Sequence, residues 1–520
     1  MLTLLAAFVT PAMAASFGPF TCVEQAGNVL RYTCTAETSS DQARVVFWPA
    51  GSADTRTTAW SPVAEQHSFT LWGLRPATTY EYRIETLGPP SAASVTRSFT
   101  TDALDSEFGA PFADLGVRTS TRPGGPTPYT QYVLVNAGCA SDRQYMIILD
   151  NEGQVVWYQA ATRPGDISAV SFTPQHTLLA VVEDVAIEEW SLDGTLLRAR
   201  EYNVDGACDR GQGPCPHHDA LRVGDDTWTI TGEVAEYPAV GLSGCATKTG
   251  YVVDGFQRLD ADFEPTELIR LDTDLGLGPD VTMGPRFDPA VPTPRCEGST
   301  WGGVLGWYDA GTGQTVAPID YAHANALEVS GNYLYVSLWQ FYTVIKVDLT
   351  TRRLVWQLHG TLDAFSDFAV PMVVSPSVVE SATSTMNGTH HVSIMPDGRL
   401  QAFNNQADIG IPRTRVIRVR LDEVAMTATL EEAFTMVDDD DGTYVAPTAL
   451  GCNQLGSAFT VGDGSHVVAS CGSNGVIAEL DQADGTTDQG PVWFMELTCE
   501  ADTLRPPNLY RAVPLETLDY

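Results

Sequence analysis

The chain is poor in positive charge: 29 Lys and Arg stand against 65 Asp and Glu, for a formal net charge of −36 over 520 residues. That balance excludes a nucleic-acid partner, because nothing offsets phosphate repulsion. It describes a hydrated acidic surface, and an anionic ligand would need a local positive site. Long apolar runs are missing too. After residue 14 no stretch approaches the roughly 18 to 20 apolar residues of a membrane span. Amphipathic helical periodicity is absent, which argues for an all-β chain. Paired Cys-x-x-Cys motifs are absent as well, so the ten cysteines read as disulfides and not as a zinc site.

What is present is a globular composition, 43% apolar with Gly and Pro scattered throughout. Residues 2–14 are small or apolar and end in Ala12-Met13-Ala14, the form of a signal peptide cleavage site without its basic start. Residues 1–14 are therefore expected to be a signal peptide, and the protein periplasmic or secreted. Spacing favours the disulfides Cys22–Cys34, Cys208–Cys215, Cys245–Cys296 and Cys452–Cys471, with Cys139–Cys499 remaining, although sequence leaves connectivity open.

Residues 17–101 alternate as short strands between turns. Leu74-Arg-Pro76-Ala-Thr-Thr-Tyr80-Glu-Tyr82-Arg-Ile84 resembles the tyrosine corner of a fibronectin type III-like sandwich, which implies a fold and no chemistry. Residues 102–127 are rich in Pro, Gly and Asp and read as a linker. From 128 to 520 a repeat takes over, in which a strand ends in Leu-Asp or Val-Asp, turns, and begins a strand often carrying Trp. Its copies start at Leu149-Asp150, Leu192-Asp193, Leu259-Asp260, Val347-Asp348, Leu421-Asp422 and Leu480-Asp481. Such units predict a six-bladed β-propeller behind the small sandwich, closed by a strand near Leu509–Val513. Trp157, Trp356 and Trp493 would fill the space between blades. Long insertions at 265–320 and 357–389 would lie over one face as a lid. Asp438–Asp441 reads as a solvated acidic turn in preference to a calcium loop.

Five of the nine histidines stand at the start of three hairpins: His217-His218-Asp219, His323-Ala-Asn325, and His390-His391. Innermost strands of a propeller begin near one axis, so these starts are expected to converge. Three uses are open: a nucleophilic imidazole with anion-binding partners, a metal site, or buried histidines satisfied by the backbone. A metal-binding or non-catalytic ligand-binding propeller is thus the alternative to an enzyme.

The order His217-His218-Asp219, Asp320-Tyr-Ala-His323-Ala-Asn325 with Val336-Ser337, His390-His391, Phe403-Asn404-Asn405 and Thr414-Arg415 resembles the bacterial arylsulfate sulfotransferases. The resemblance implies sulfuryl transfer from an aryl sulfate to a phenol, without a nucleotide donor or any other cofactor. Its partners would be small phenolic and aryl-sulfate molecules; the oligomeric state stays unknown. It makes His391 the nucleophile of a ping-pong cycle through sulfohistidine, with His323, Asn325 and His218 donating to the sulfuryl and leaving oxygens. His217, His390, Trp339, Asn405 and Arg415 are expected to contact substrate. The chain departs from the pattern where Trp339 replaces an arginine, His390 a glutamine and Asn404 an aspartate. Arg413 or Arg415 is the candidate to restore the missing charge, and Trp339 is placed to stack on an aromatic substrate.

Overall fold

A computed structural model describes residues 17–88, 91–104, 115–137, 145–208, 213–237, 250–278, 307–309, 314–316, 318–360, 367–368, 373–374, 386, 388–405, 414–436, 452, 454–481, 491–499 and 509–518. The regular structure is β-strand, with a few three-residue 3-10 turns such as Trp339–Phe341. The chain divides into two compact units, residues 1–109 with 154–158 and 517–520, and residues 110–153 with 159–516.

In the first unit, strands Phe17–Gln25, Asn28–Asp41 and Ala64–Leu71 form one sheet. Ala43–Pro49 and Thr79–Thr86 lead a second, edged by Arg56–Thr57, Ala92–Ala93 and Arg97–Thr100. Thr79–Thr86 buries every second residue, the period-two alternation of a strand with one face on a core. That core holds Tyr32, Phe47, Phe69, Leu74, Tyr80, Tyr82 and Ile84. The Tyr80 hydroxyl accepts the Arg75 N–H at 2.8 Å, fixing the corner before the strand. Cys22 and Cys34 face each other across the first two strands and are disulfide-bonded.

Among the described residues, the second unit carries six successive sheets with an antiparallel four-strand path. The first pairs Tyr132–Ala137 with Tyr145–Asp150, continues to Val155–Ala160, a strand whose first four residues are counted with the first unit, and takes Ala512–Leu515 from the far end of the chain on its other edge. The second runs Ile167–Phe172, Leu178–Val182, Ala186–Trp190, Leu196–Glu201. The third runs Cys215–Val223, Asp226–Glu236, Gly250–Leu259, Pro265–Arg270. The fourth runs Ala324–Ser330, Tyr333–Leu338, Thr343–Asp348, Arg353–His359. The fifth runs Thr389–Ile394, Leu400–Asn404, Arg415–Asp422, Thr427–Thr435. The sixth runs Ser457–Val461, His466–Cys471, Val476–Leu480, Trp493–Cys499, with Leu115–Thr121 added outside.

The repeated Leu-Asp or Val-Asp sits at the turn between the third and fourth strands of each sheet. In five copies the Asp carboxylate caps that turn: Asp150 accepts from Glu152 N, Asp193 from Thr195 N, Asp260 from Asp262 N, Asp348 from Thr350 N and Asp422 from Val424 N, all at 2.8–3.0 Å. Asp481 takes Arg122 instead.

Middle strands such as Leu178–Val182 and His466–Cys471 are buried along their whole length, so they read as near-continuous apolar runs. The cause is sheet-on-sheet packing. One core joins the third and fourth sheets through Phe256, Tyr251, Leu327 and Val336. Another joins the fourth and fifth through Trp356, Tyr335, Leu400 and Ile417, and a third joins the fifth and sixth through Phe403, Phe434, Ala458 and Phe494. Trp493 of the sixth sheet donates to Asn151 O beside the first, at 2.9 Å.

Cys208–Cys215 and Cys452–Cys471 are disulfide-bonded, as is Cys499. Cys139, Cys245 and Cys296 lie outside the described residues, as do residues 1–14, where a signal peptide was expected, Arg413, Asp438–Asp441 and most of the two long insertions. Among the described residues no helix is long and apolar enough to cross a membrane.

Candidate functional site

The first strands of the third, fourth and fifth sheets share a device. Each slips register near its start, between His217 and Ala220, Ala324 and Ala326, and His390 and Val392. His218, His323 and His391 take positive φ there, at 59°, 53° and 47°. A bulge re-aims side chains, and non-glycine residues in the left-handed region are uncommon enough to mark a constrained site.

The result is a closed circuit of five rings. His218 and His323 centroids lie 4.6 Å apart, His323 and Trp339 5.4 Å, Trp339 and His390 6.4 Å, His390 and Tyr510 6.3 Å, and Tyr510 and His218 5.3 Å. His323 and Trp339 are the partly exposed members, the His323 side chain 23% exposed, while His218, His390 and Tyr510 are buried.

Their surroundings favour different charge states. Burial alone would lower the His323 pKa, but its Nδ1 meets Asp320 Oδ2 at 2.5 Å, and the net shift is upward. His218 is pushed well down by burial, then by His323, His217 and His390. His390 is pushed down to about 3 by burial, against the Asn405 hydrogen bond. Asn405 Nδ2 donates to Leu455 O at 2.8 Å, so its Oδ1 accepts the His390 Nδ1–H at 2.7 Å. The proton of His390 is thereby held on Nδ1, and Nε2 faces the Leu455 N–H at 3.3 Å. Burial thus favours the neutral form of His218 and His390, and Asp320 favours the charged form of His323.

His391 stands apart from it. Its ring packs on Phe459, centroids 4.4 Å apart, and its Nδ1 accepts the Ala458 N–H at 3.2 Å. The third hairpin thus turns His390, not the expected His391, toward the other rings, whereas the first hairpin turns its second histidine inward. His217 lies behind His218, fully buried, with the two Nδ1 atoms 2.8 Å apart and its Nε2 3.1 Å from Asp254 Oδ1.

Asn325, expected as a donor to sulfuryl oxygens, directs its Nδ2 to Thr389 O at 2.9 Å, where Ser337 Oγ also donates at 2.8 Å. Both side chains thereby fix the residue immediately before His390. Asp219 of the first motif is a tie: Arg511 grips it with two guanidinium bonds of 2.5 and 2.6 Å, and it accepts Leu327 N at 2.8 Å. Arg415 is buried opposite Asn404 at the start of its strand. Trp339 occupies the arginine position of the resemblance. Its indole N–H is buried with no acceptor among the described residues, and Gly388 leaves room for it, since a Cβ there would fall 2.9 Å from Nε1.

Three residues escaped the sequence reading. Tyr510 precedes the closing strand as His323 precedes its own, and its hydroxyl donates to Asn325 O at 2.5 Å. Asp254 lies mid-strand with no local signal. Glu183 lies in a turn of the second sheet, its carboxyl pushed up to about 8 by burial, then by Asp184 and Asp166. Among the described residues no group of three or more His, Cys, Asp or Glu is arranged to hold a metal ion.

Residues 126–436 match the family model described as arylsulfotransferase (ASST). No curated protein sequence matches the chain. Similar solved structures include a Bacteroides uniformis protein described as a 6-phosphogluconolactonase, 12% identical, with a TM-score of 0.34 over 71% of this chain and 100% of that one. Kuenenia stuttgartiensis hydrazine synthase is 10% identical, with a TM-score of 0.31 over 72% and 83%. Moraxella catarrhalis BamB is 13% identical, with a TM-score of 0.24 over 72% and 90%. Likeness of this degree assigns no chemistry.

Proposed function

The chain belongs to the arylsulfotransferase family, and from that premise we propose that it moves a sulfuryl group from an aryl sulfate to a phenolic acceptor through a covalent sulfohistidine. The six sheets are then the blades of a propeller, the first unit a fibronectin type III-like sandwich, and the protein works outside the cytoplasm, which its disulfides support.

One observation carries the reading: the ring circuit sets two buried imidazoles, whose burial favours the neutral form, beside one whose charged form the Asp320 carboxylate favours. In the first half-reaction His390 Nε2 attacks sulfur, an N–S bond forms, and the S–O bond to the donor aryl group breaks. The electron pair leaves on a phenolate, which takes a proton from solvent. The 3.3 Å Leu455 contact opens for this, a long hydrogen bond and a weak one. His323 as imidazolium stabilises the charge on the departing oxygen, and the Trp339 indole N–H donates to a sulfuryl oxygen. The indole face supports the aryl ring. In the second half-reaction the oxygen of a phenol bonds to sulfur as the N–S bond breaks, its electron pair returns to His390 Nε2, and the phenol proton passes to solvent.

His390 replaces His391 as carrier in this proposal because His391 faces Phe459 and Ala458. The test is steady-state kinetics with a chromogenic aryl sulfate and varied phenol. A ping-pong pattern abolished by His390→Ala and retained in His391→Ala supports the reading. Loss of the pattern in His391→Ala with retention in His390→Ala overturns the assignment, and no acceptor-dependent release from the wild-type protein overturns the function.

A further inference from the structure

The scheme above exchanges a phenol proton with solvent in each half-reaction. A side chain placed to carry both protons sits in the second sheet, which repeats the backbone of the fourth. Strand Ile167–Phe172 slips register between Ile167 and Ala169, as Ala324–Ser330 does between Ala324 and Ala326. Ile167 pairs with Val182 as Ala324 pairs with Leu338. The adjoining backbone bond recurs as well: Glu183 N–H donates to Asp166 O at 2.8 Å, and Trp339 N–H donates to His323 O at 3.1 Å. In the second sheet Asp166 thus holds the place of His323, and Glu183 the place of Trp339.

Two bonds fasten this corner to the first histidine hairpin. Asp184 N–H donates to Pro216 O at 2.7 Å, and His218 N–H donates to Ser168 Oγ at 3.1 Å. Glu183 is partly exposed, like His323 and Trp339. Its carboxyl lies within electrostatic reach of His323, Asp320 and Tyr510. Buried carboxylates of the same sheet have structural partners. Glu188 accepts Thr162 N and Trp190 Nε1, both at 3.0 Å, and Glu189 pairs with Arg198 at 2.9 Å and with Arg222. Among the described residues the Glu183 carboxyl has no such bond.

Its surroundings favour the acid form. Burial raises the Glu183 pKa most, then Asp184 on its own turn and Asp166 beside it; His323 lowers it and Asp320 raises it, to about 8 in all. An arriving sulfate adds negative charge and favours the acid further. A carboxyl poised near neutral pH is matched to proton transfer with a phenol.

We propose that Glu183 is the proton carrier of the cycle, an acid toward the departing aryl oxygen and a base toward the acceptor phenol. The inference rests on the sulfuryl-transfer reading and deepens it, with Glu183 taking over both transfers from solvent. In the first half-reaction the N–S bond forms, the S–O bond breaks, and the aryl oxygen keeps that electron pair and takes the Glu183 proton. Glu183 is left as carboxylate. In the second the phenol oxygen bonds to sulfur, the N–S pair returns to His390 Nε2, and the phenol proton passes to Glu183. The acid is restored, so no net proton is exchanged with solvent.

The experiment compares wild type with Glu183→Gln in each half-reaction separately. An acid matters only when the leaving oxygen is basic, and a base only when the acceptor carries its proton. Without acceptor, the variant is expected to release phenol from phenyl sulfate about 100-fold more slowly and to cleave nitrophenyl sulfate at nearly the wild-type rate. Discharge of the sulfuryl adduct should slow as much with phenol and little with a nitrophenol already ionised at the assay pH. Equal loss with every donor and acceptor, or no loss, overturns the proposal. Infrared difference spectra supply a readout free of activity. The proposal requires a protonated-carboxyl band that fades as pH rises through about 8 and is missing from Glu183→Gln. A Glu183 already ionised at acid pH overturns it. If the wild type cleaves no aryl sulfate, the proposed function fails and the proton carrier with it. If the wild type cleaves them and the variant shows no dependence on the leaving oxygen, the proton carrier alone fails.

Discussion

Replacing Asp320 by Asn removes a charge from beside His323 while keeping an acceptor for its Nδ1–H. The Nδ1–Oδ2 distance is 2.5 Å, and the charge centres are about 4 Å apart, so the attraction is about 4 kcal/mol at an effective dielectric of 20. His323 is 23% exposed, so solvent screening takes about half of that and leaves about 2 kcal/mol. At about 1.4 kcal/mol per pH unit, the His323 pKa falls by about 1.5 units. The sign is set by the upward shift: the imidazolium is present below the folded pKa and lost as pH rises through it. The alkaline limb of kcat/KM therefore moves about 1.5 units toward acid in Asp320→Asn, and activity at pH values on that limb falls by tenfold or more. The assay is aryl sulfate cleavage with a phenol acceptor across pH 5–10. A limb that stays in place, or an equal loss at every pH, would refute the electrostatic role of the pair.

Other groups yield their own tests. Arg511→Met leaves the buried Asp219 carboxylate unpaired and should cost about 3–5 kcal/mol in denaturant unfolding, with faster hydrogen exchange in strand Tyr132–Ala137; the double change with Asp219→Leu should cost less. His390 has its folded pKa depressed from 6.5 to about 3, so its stabilising preference for the neutral ring is present above 6.5 and lost as pH falls toward 3. At pH 4.5 this loss is about 3 kcal/mol, and His390→Gln should flatten the acid side of the stability profile. Trp339→Phe keeps a ring and deletes the buried N–H, and should lower kcat/KM by about tenfold with KM for the aryl group little changed. Reducing Cys452–Cys471, which spans 19 residues, should cost about 3 kcal/mol.

Much of the β architecture was legible because local chemistry repeats. The Asp of each Leu-Asp or Val-Asp pair marks a third-to-fourth strand turn, where backbone N–H groups need an acceptor. The histidine hairpin starts were legible for a similar reason, since strand period and turn residues locate them. Which of two adjacent histidines faces inward was not legible. A bulge changes the alternation, so His218 and His390 enter the circuit from opposite members of their pairs. Asp254 and Tyr510 were hidden because each acts on a sheet other than the one it sits beside in the chain, Asp254 on Ala324 N and Tyr510 on Asn325 O. Pairings between remote strands leave no mark on the residues around them.

His390 is the nitrogen that carries the sulfuryl group in the proposed cycle, and every later step depends on it. The most direct measurement is intact-mass analysis of the protein mixed with an aryl sulfate and no acceptor, followed by peptide mapping that separates His390 from His391. A sulfuryl adduct on His390, discharged when phenol is added, is the predicted result. An adduct on His391, or phenol release with no protein adduct at any time, would contradict it.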